Sequence, residues 1–257
     1  MTLWVLITAI LLGQIGTAHS ADLESLDINF KRAVFSDKLT QQSVRQTFQD
    51  SRGTLWFLTQ EGLNRYIGYE LQNYRHSPSD TTSIPSDNVT RITEDHNGRL
   101  WISTEGAGLL LYNSLSDNFE AFYSDPNNNN TPLSNDISTL FTDADGMIWI
   151  GYANALSKFN PRDRTFHHYV SGSQNMPITG TIGGFTQTPD ATIWAATEKA
   201  GLLKIAPQDG NMTTLRHNPD DSNSIPSDWL IDLTTSDDGK IWLASANAGA
   251  SLYDPNY

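Results

Sequence analysis

ITEDHNGRLWISTEGAGLLLY, residues 92–112, alternates two kinds of sequence. A short apolar run closes at Glu94-Asp95, and Asp95-His96-Asn97-Gly98 carries the side chains that set a tight turn. Leu100-Trp101-Ile102-Ser103-Thr104 is aromatic and β-branched, as strands are. Glu105-Gly106-Ala107-Gly108 interrupts again before Leu109-Leu110-Leu111-Tyr112. Strand, turn, strand, turn, strand is an antiparallel meander whose members are too short to stand alone.

The same pattern recurs around Trp56, Trp101, Trp149, Trp194 and Trp242, spaced by 45, 48, 45 and 48 residues. Twelve positions before each stands an aliphatic residue: Val44, Val89, Ile137, Ile182 and Leu230. Three before stands Gly53, Gly98, Gly146, Ala191 or Gly239. Shortly after comes a small residue: Gly62, Gly108, Ala155, Gly201 or Gly249. Repetition at this period means a radial or solenoidal architecture. Helical repeats would need apolar residues at i, i+3 and i+4 through long spans. Here Gly, Pro or Asn breaks every apolar run, and four short strand signals per period describe a β-propeller blade.

The expected fold is therefore all-β, with five four-stranded antiparallel blades near 43–75, 88–123, 136–170, 181–216 and 229–257. The long connections, 76–87, 124–135, 171–180 and 217–228, join consecutive blades on one face and are rich in Pro, Asp, Asn and Ser. Residues 74–89 and 215–230 agree at nine of sixteen positions. Excess loop on one face of a rigid scaffold is where function is usually carried. The fifth repeat shows no fourth strand before Tyr257. An unclosed propeller leaves bare sheet edges. Either residues 27–35 close a five-bladed ring, or the chain is the first part of a larger propeller; the second is the expectation taken here.

Residues 1–20 differ from the rest. Leu3 to Ile15 is almost unbroken apolar sequence, and Ala18-His19-Ser20-Ala21 offers small residues around a cut after Ser20. This reads as a secretory signal peptide, although no Lys or Arg precedes the apolar run. Residues 21–257 then form the propeller, exported to the periplasm. With 16 Lys and Arg against 29 Asp and Glu, the net charge of −13 repels nucleic acid and anionic lipid. No cysteine is present.

Residues 62–113, with their D-x-x-G-x-[LI]-W core, resemble the two-component regulator propeller repeat, and Phe30 through Asp50 resembles the usual first blade of such domains. Asp50/Gly53/Trp56, Asp95/Gly98/Trp101 and Asp143/Gly146/Trp149 fit the core fully; repeats four and five place Thr188 and Ser236 where the aspartate belongs. The resemblance implies a ligand-sensing input domain of a transmembrane two-component or diguanylate-cyclase-type receptor. Such receptors carry seven-bladed propellers, a membrane helix further along and a kinase or cyclase as output, and can dimerise. It implies binding of a small molecule, an oligosaccharide or a periplasmic protein, with no cofactor. Kinship to propellers that open cyclic antibiotics keeps a lyase or hydrolase as the alternative, and a protein-interaction scaffold as another.

The five repeated tryptophans read as core between blades. Trp229 does not, because it precedes Leu230 where other blades have Ser43, Asn88, Asp136 and Thr181, and strand neighbours face opposite ways. It is a candidate ligand contact. Glu61, Glu105 and Glu198 recur in the turn between second and third strands, with Asn154 and Asn247 in the other blades, and could ring the axis mouth. Arg75-His76 and Arg216-His217 hold equivalent loop positions and could meet an anionic ligand or anchor their loops through Asp80 and Asp221. The two histidines belong to distant blades, so no shared metal is expected. Asp143-Ala144-Asp145-Gly146 lacks the further oxygens of a calcium loop and reads as a turn. A catalytic role would need a general acid or base at the channel mouth, such as His76 with Glu105.

Overall fold

The computed structural model describes residues 31–171, 177–206 and 210–256. All blades lie within Phe35–Tyr257. Blade 1 comprises β1 (Gln46–Gln49), β2 (Leu55–Thr59), β3 (Gly62–Ile67) and β4 (Glu70–Tyr74). Blade 2 comprises β5 (Val89–Glu94), β6 (Leu100–Thr104), β7 (Leu109–Asn113) and β8 (Asn118–Phe122). Blade 3 holds β9 (Thr139–Thr142), β10 (Ile148–Tyr152), β11 (Ala155–Asn160) and β12 (Thr165–Val170). Blade 4 holds β13 (Ile182–Gln187), β14 (Ile193–Thr197), β15 (Leu202–Ile205) and β16 (Met212–Leu215), and blade 5 holds β17 (Leu230–Thr235), β18 (Ile241–Ser245) and β19 (Gly249–Tyr253). Each sheet is an antiparallel meander in chain order, four-stranded in blades 1–4 and three-stranded in blade 5. A single turn of 3-10 helix, Ser36–Lys38, precedes the first blade.

The D-x-x-G-x-[LI]-W pattern has a direct physical explanation. In blade 2, Asp95 Oδ1 accepts from the amides of Asn97 and Arg99 at 2.9 and 3.1 Å, while Oδ2 accepts from Trp101 Nε1 at 2.9 Å. Asp50 and Asp143 repeat the arrangement on Trp56 and Trp149. The carboxylate thus closes the turn and satisfies the one polar atom of a buried indole, which would otherwise be costly to bury. Glycine stands at the turn position with φ +71 in blade 2 because a Cβ there is strained. The departures in repeats four and five shift the carboxylate by two residues. Trp194 Nε1 donates to Thr188 Oγ1, and Thr188 Oγ1 in turn donates to Asp190 Oδ1 at 2.6 Å, with Asp190 also taking the Thr192 amide. Ser236 and Asp238 rebuild the turn alone in blade 5.

Each indole presses on the next blade. Trp56 lies among Val89, Ile92, Leu100 and Tyr112; Trp101 meets Ile137, Ile148 and Phe159; Trp149 meets Ile182, Phe185 and Leu203; Trp194 meets Leu230, Ile241 and Tyr253. These four are 0–3% exposed, worth roughly 3 kcal/mol each by area. Trp242 departs from the expected core role: it is 47% exposed, as is its cross-strand partner Leu252. The face on which its equivalents rest belongs to a following blade, and among the described residues blade 5 is the last. The expected closing strand over residues 27–35 falls partly outside the described residues; Lys31 to Phe35 form no strand. Instead Phe35 packs its ring on Phe57 and Tyr66 of blade 1. Near the axis the innermost strands pack in sequence, and Arg91 of blade 2 reaches Asp232 of blade 5 at 3.8 Å.

Candidate functional site

The candidate residues sit in the seams between blades, on the side of the long connections, and each is held locally. In the blade 1–2 seam, Arg75 Nη2 donates to Thr40 O at 2.5 Å and pairs with Glu61 at 3.4 Å. The His76 amide donates to Asp87 Oδ1 at 2.6 Å, and its Nδ1 lies 3.1 Å from Ile84 O. In the blade 4–5 seam the histidine contacts are copied while the arginine changes partner. Arg216 pairs with Asp228 at 3.3 Å, the His217 amide donates to Asp228 Oδ1 at 2.8 Å, and His217 Nδ1 lies 2.8 Å from Ile225 O. These pairs anchor their loops, but through Asp87 and Asp228 rather than Asp80 and Asp221. Asp80 instead caps its own turn at Thr82.

The recurring acidic turn residues serve their own seams rather than one common centre. Glu105 accepts from Asn88 Nδ2 and lies 3.9 Å from Arg45, which itself donates to Asn88 Oδ1 at 2.7 Å. Glu198 accepts from Thr181 Oγ1 at 3.0 Å. Asn154 accepts from the Gly180 amide, and Asn247 from Ser227 Oγ. His76 and Glu105, the pair a catalytic reading would use, are thus tied to a backbone carbonyl and to Asn88, respectively.

Blade 5 alters this theme at one place. Trp229 stands where Asn88 stands in blade 2, and its side chain is half-exposed. With Glu198, Lys199, His217, Asp228 and Asn247 it lines an open groove of about 430 Å³ in the blade 4–5 seam. The groove therefore gathers three of the sequence-predicted residues, Glu198, His217 and Trp229, with Arg216 beside it through Asp228. Glu61, Arg75, His76 and Glu105 lie in the other seam. Lys199 and Asn247 escaped sequence reasoning as groove residues, although Asn247 holds the turn position of Glu105. A half-exposed indole beside a carboxylate, an imidazole, an ammonium and an amide can stack on a flat apolar face while hydrogen-bonding hydroxyls around it.

Five consecutive antiparallel blades with a buried indole in each of their four seams define a β-propeller, and the solved propellers it resembles are larger domains. The family model described as two component regulator propeller matches residues 83–106 and 131–154, so these two stretches are similar to repeats of that family. Histidine kinase P4 of Formosa agariphila is 39% identical over 67 residues, 26% of this chain and 5% of that protein. The extracellular domain of BT3049 from B. thetaiotaomicron, assigned to a hybrid two component system, superposes with a TM-score of 0.73 at 22% identity, covering 83% of this chain and 28% of that one. The extracellular domain of BT4673, assigned likewise, gives 0.70 at 18% identity over 82% of this chain and 27% of its own. Virginiamycin B lyase from Staphylococcus aureus gives 0.60 at 13% identity, over 85% of this chain and 73% of that one. At such identities the superpositions show the fold alone.

Proposed function

We propose that the chain is the ligand-sensing part of a receptor's extracytoplasmic input domain, that it binds rather than catalyses, and that ligand sits in the blade 4–5 groove on Trp229. One observation carries the site: among the described residues near the long connections, Trp229 is a large aromatic left half-exposed at a position that is polar in the other blades. The family repeats and the extracellular solved neighbours support a sensor outside the cytoplasm, signalling to a two-component or cyclase output. The polar fringe of Glu198, His217 and Asn247 suits a hydroxyl-rich ligand, an oligosaccharide first. Such a ligand, bridging blades 4 and 5, changes how firmly they pack and so has a route to the rest of the receptor.

The test is a panel of neutral and acidic oligosaccharides screened by thermal shift and confirmed by calorimetry, with Trp229→Ala beside wild type. Binding that disappears in the variant while its unliganded Tm stays put is the expected result. A sugar bound equally well by both proteins removes the groove from consideration. Turnover of the ligand, abolished in a His76→Ala/His217→Ala double variant, establishes the enzymatic alternative instead.

A further inference from the structure

In the blade 1–2 seam four side chains hold one carboxylate. Asp117 stands in the turn between β7 and β8, with φ +52. It accepts from the Tyr74 hydroxyl at 2.6 Å, from the Tyr112 hydroxyl at 2.7 Å and from Gln72 Nε2 at 2.5 Å, and Arg65 lies 3.6 Å away. Arg65 is itself held over the Trp56 ring at 5.5 Å, and Tyr74 stacks on that indole at 6.2 Å. The blade 2–3 seam has nothing of the kind, since Leu111, Glu120 and Phe122 fill the positions of Arg65, Gln72 and Tyr74.

The blade 3–4 seam keeps the donors and drops the carboxylate. Strand register makes Lys158, His167 and Tyr169 the equivalents of Arg65, Gln72 and Tyr74. Lys158 Nζ lies over the Trp149 ring at 5.2 Å and Tyr169 stacks on that indole at 6.2 Å, so geometry is copied along with chemistry. Across the seam, blade 4 has Ile205 for Tyr112, paired with Met212 as Tyr112 is with Phe119. Two residues before Met212, Gly210 takes the place of Asp117 with the same left-handed backbone, φ +70. A Cβ on Gly210 falls 3.3 Å from Tyr169 Oη, so a side chain here would reach that hydroxyl. Among the described residues neither the Tyr169 hydroxyl nor the Lys158 ammonium has a hydrogen-bond or ion-pair partner. The two truncations leave a cavity of about 250 Å³ onto which Lys158, Tyr169, Gly210, Gln187 and Asp145 open. Asp143 lines it too, with its oxygens already taken by the turn amides and Trp149.

We infer that this cavity binds a small zwitterion of the amino-acid class, whose carboxylate takes the part that Asp117 plays in the first seam. That carboxylate accepts from Tyr169 Oη and pairs with Lys158, and such charge-assisted bonds are the stronger kind. The rim supplies the opposite charge. Asp145 stands where the first seam has Arg52, and its exposed carboxylate meets the ligand's ammonium. A volume of about 250 Å³ lies below the range of pockets for drug-sized molecules and suits a ligand of this size. The site opens on the face of the first-to-second and third-to-fourth strand turns, opposite the long connections. It is separate from the Trp229 groove and does not rest on it.

The probes are glycine, β-alanine and 4-aminobutyrate, zwitterions of increasing charge separation, titrated calorimetrically into the full chain beside propionate and propylammonium. At least one zwitterion is expected to bind saturably, with propionate and propylammonium about tenfold weaker or more, because each lacks one charged partner. Gly210→Asp restores the carboxylate of the first seam at a backbone angle that Asp117 shows an aspartate to accept. It should abolish binding while the free protein melts at or above the wild-type Tm. Tyr169→Phe should weaken binding about fivefold, the size of one net hydrogen bond. Trp229→Ala should leave it unchanged. Failure of all three zwitterions to bind, propionate binding as tightly as they do, or undiminished binding by Gly210→Asp overturns the proposal. Should Gly210→Asp fail to fold, Tyr169→Phe and Lys158→Met decide, and unchanged affinity in both overturns it.

Discussion

Replacing Asp95 with alanine tests the proposition that these turns are charge-closed and not merely glycine-permitted. Asp95 is 4% exposed and takes four bonds, from the Asn97 and Arg99 amides, the Trp101 indole and Arg99 Nε at 2.7 Å. Trp101 has no exposure, so alanine leaves its N–H buried without an acceptor, which costs about 1–3 kcal/mol. The turn amides and Arg99 reach water, so their lost charge-assisted bonds add less than the full value, about 1–2 kcal/mol together. The sum, roughly 2–5 kcal/mol, lowers Tm by about 4–20 °C for a domain of this size. Near-ultraviolet circular dichroism on heating reads the loss of indole packing. Asp143→Ala should behave alike, and Asp80→Ala, on an exposed loop, should leave Tm unchanged. An Asp95→Ala melt within 2 °C of wild type would refute the role given to the carboxylate.

Three other outcomes follow from particular atoms. Burial pushes the Asp95 carboxyl up, but the bonds from Trp101, Arg99 and Asn97 outweigh it and hold it below the ordinary value; Asp117, burial again opposed by bonds from Tyr74, Tyr112 and Gln72 and by Arg65, lies low too. Carboxyls depressed on folding stabilise fully above their unfolded pKa of about 4 and lose that contribution as pH falls through the folded value. Urea midpoints between pH 5 and 2 should therefore fall steeply, and Asp95→Ala should flatten that limb; an unchanged slope counts against the assignment. Gly108→Ala combines φ +71 with a backbone clash at Phe122 O, whereas Gly249→Ala carries φ +69 in open space. Strain alone costs about 1–3 kcal/mol, so Gly108→Ala should lower Tm at least twice as far, and equal losses would show that the close approach is unimportant. Trp101→Ala should cost about 3–5 kcal/mol where Trp229→Ala costs almost none, and similar melting losses would make Trp229 a core residue.

The blade pattern was legible because one packing problem is solved repeatedly. An indole six residues after an aspartate, an aliphatic twelve residues before it and a glycine where strand three starts each leave a mark in one dimension. The substitutions at Thr188 and Ser236 read as weakened turns, yet Asp190 and Asp238 restore the carboxylate from two residues further on. That relay depends on hydroxyl direction, which spacing does not encode. The acidic turn residues also have partners that spacing does not encode: Glu61 pairs with Arg75, Glu105 accepts from Asn88 and Glu198 accepts from Thr181. The pair that does cross the axis, Arg91 with Asp232, occupies one repeat position, ten residues before each indole, but the other blades hold Gln46, Thr139 and Gly184 there, so residue type carries no signature.

The two near-copy connections show how a site is made by subtraction. At the first seam Arg45, Asn88 and Glu105 form a linked triad. The equivalent positions at the fourth seam are Gly183, Trp229 and Asn247. Glycine at 183 leaves the strands so close that a Cβ would fall 2.0 Å from Ile231 O, which removes any arm reaching across the seam. Asn247 accepts from Ser227 Oγ, so the Arg–Asn–Glu bonds of the first seam have no copy at these three positions. The loops around both seams keep the same histidine anchor, on Asp87 with Ile84 and on Asp228 with Ile225, while the clasp between them gives way to an exposed aromatic surface. A seam shaped only for stability has no use for that exchange, since a half-exposed tryptophan forgoes much of the burial energy of its side chain. On the function proposed above, a ligand completes that burial, and the hydroxyl-bonding fringe is the reason a hydroxyl-rich one is tested first.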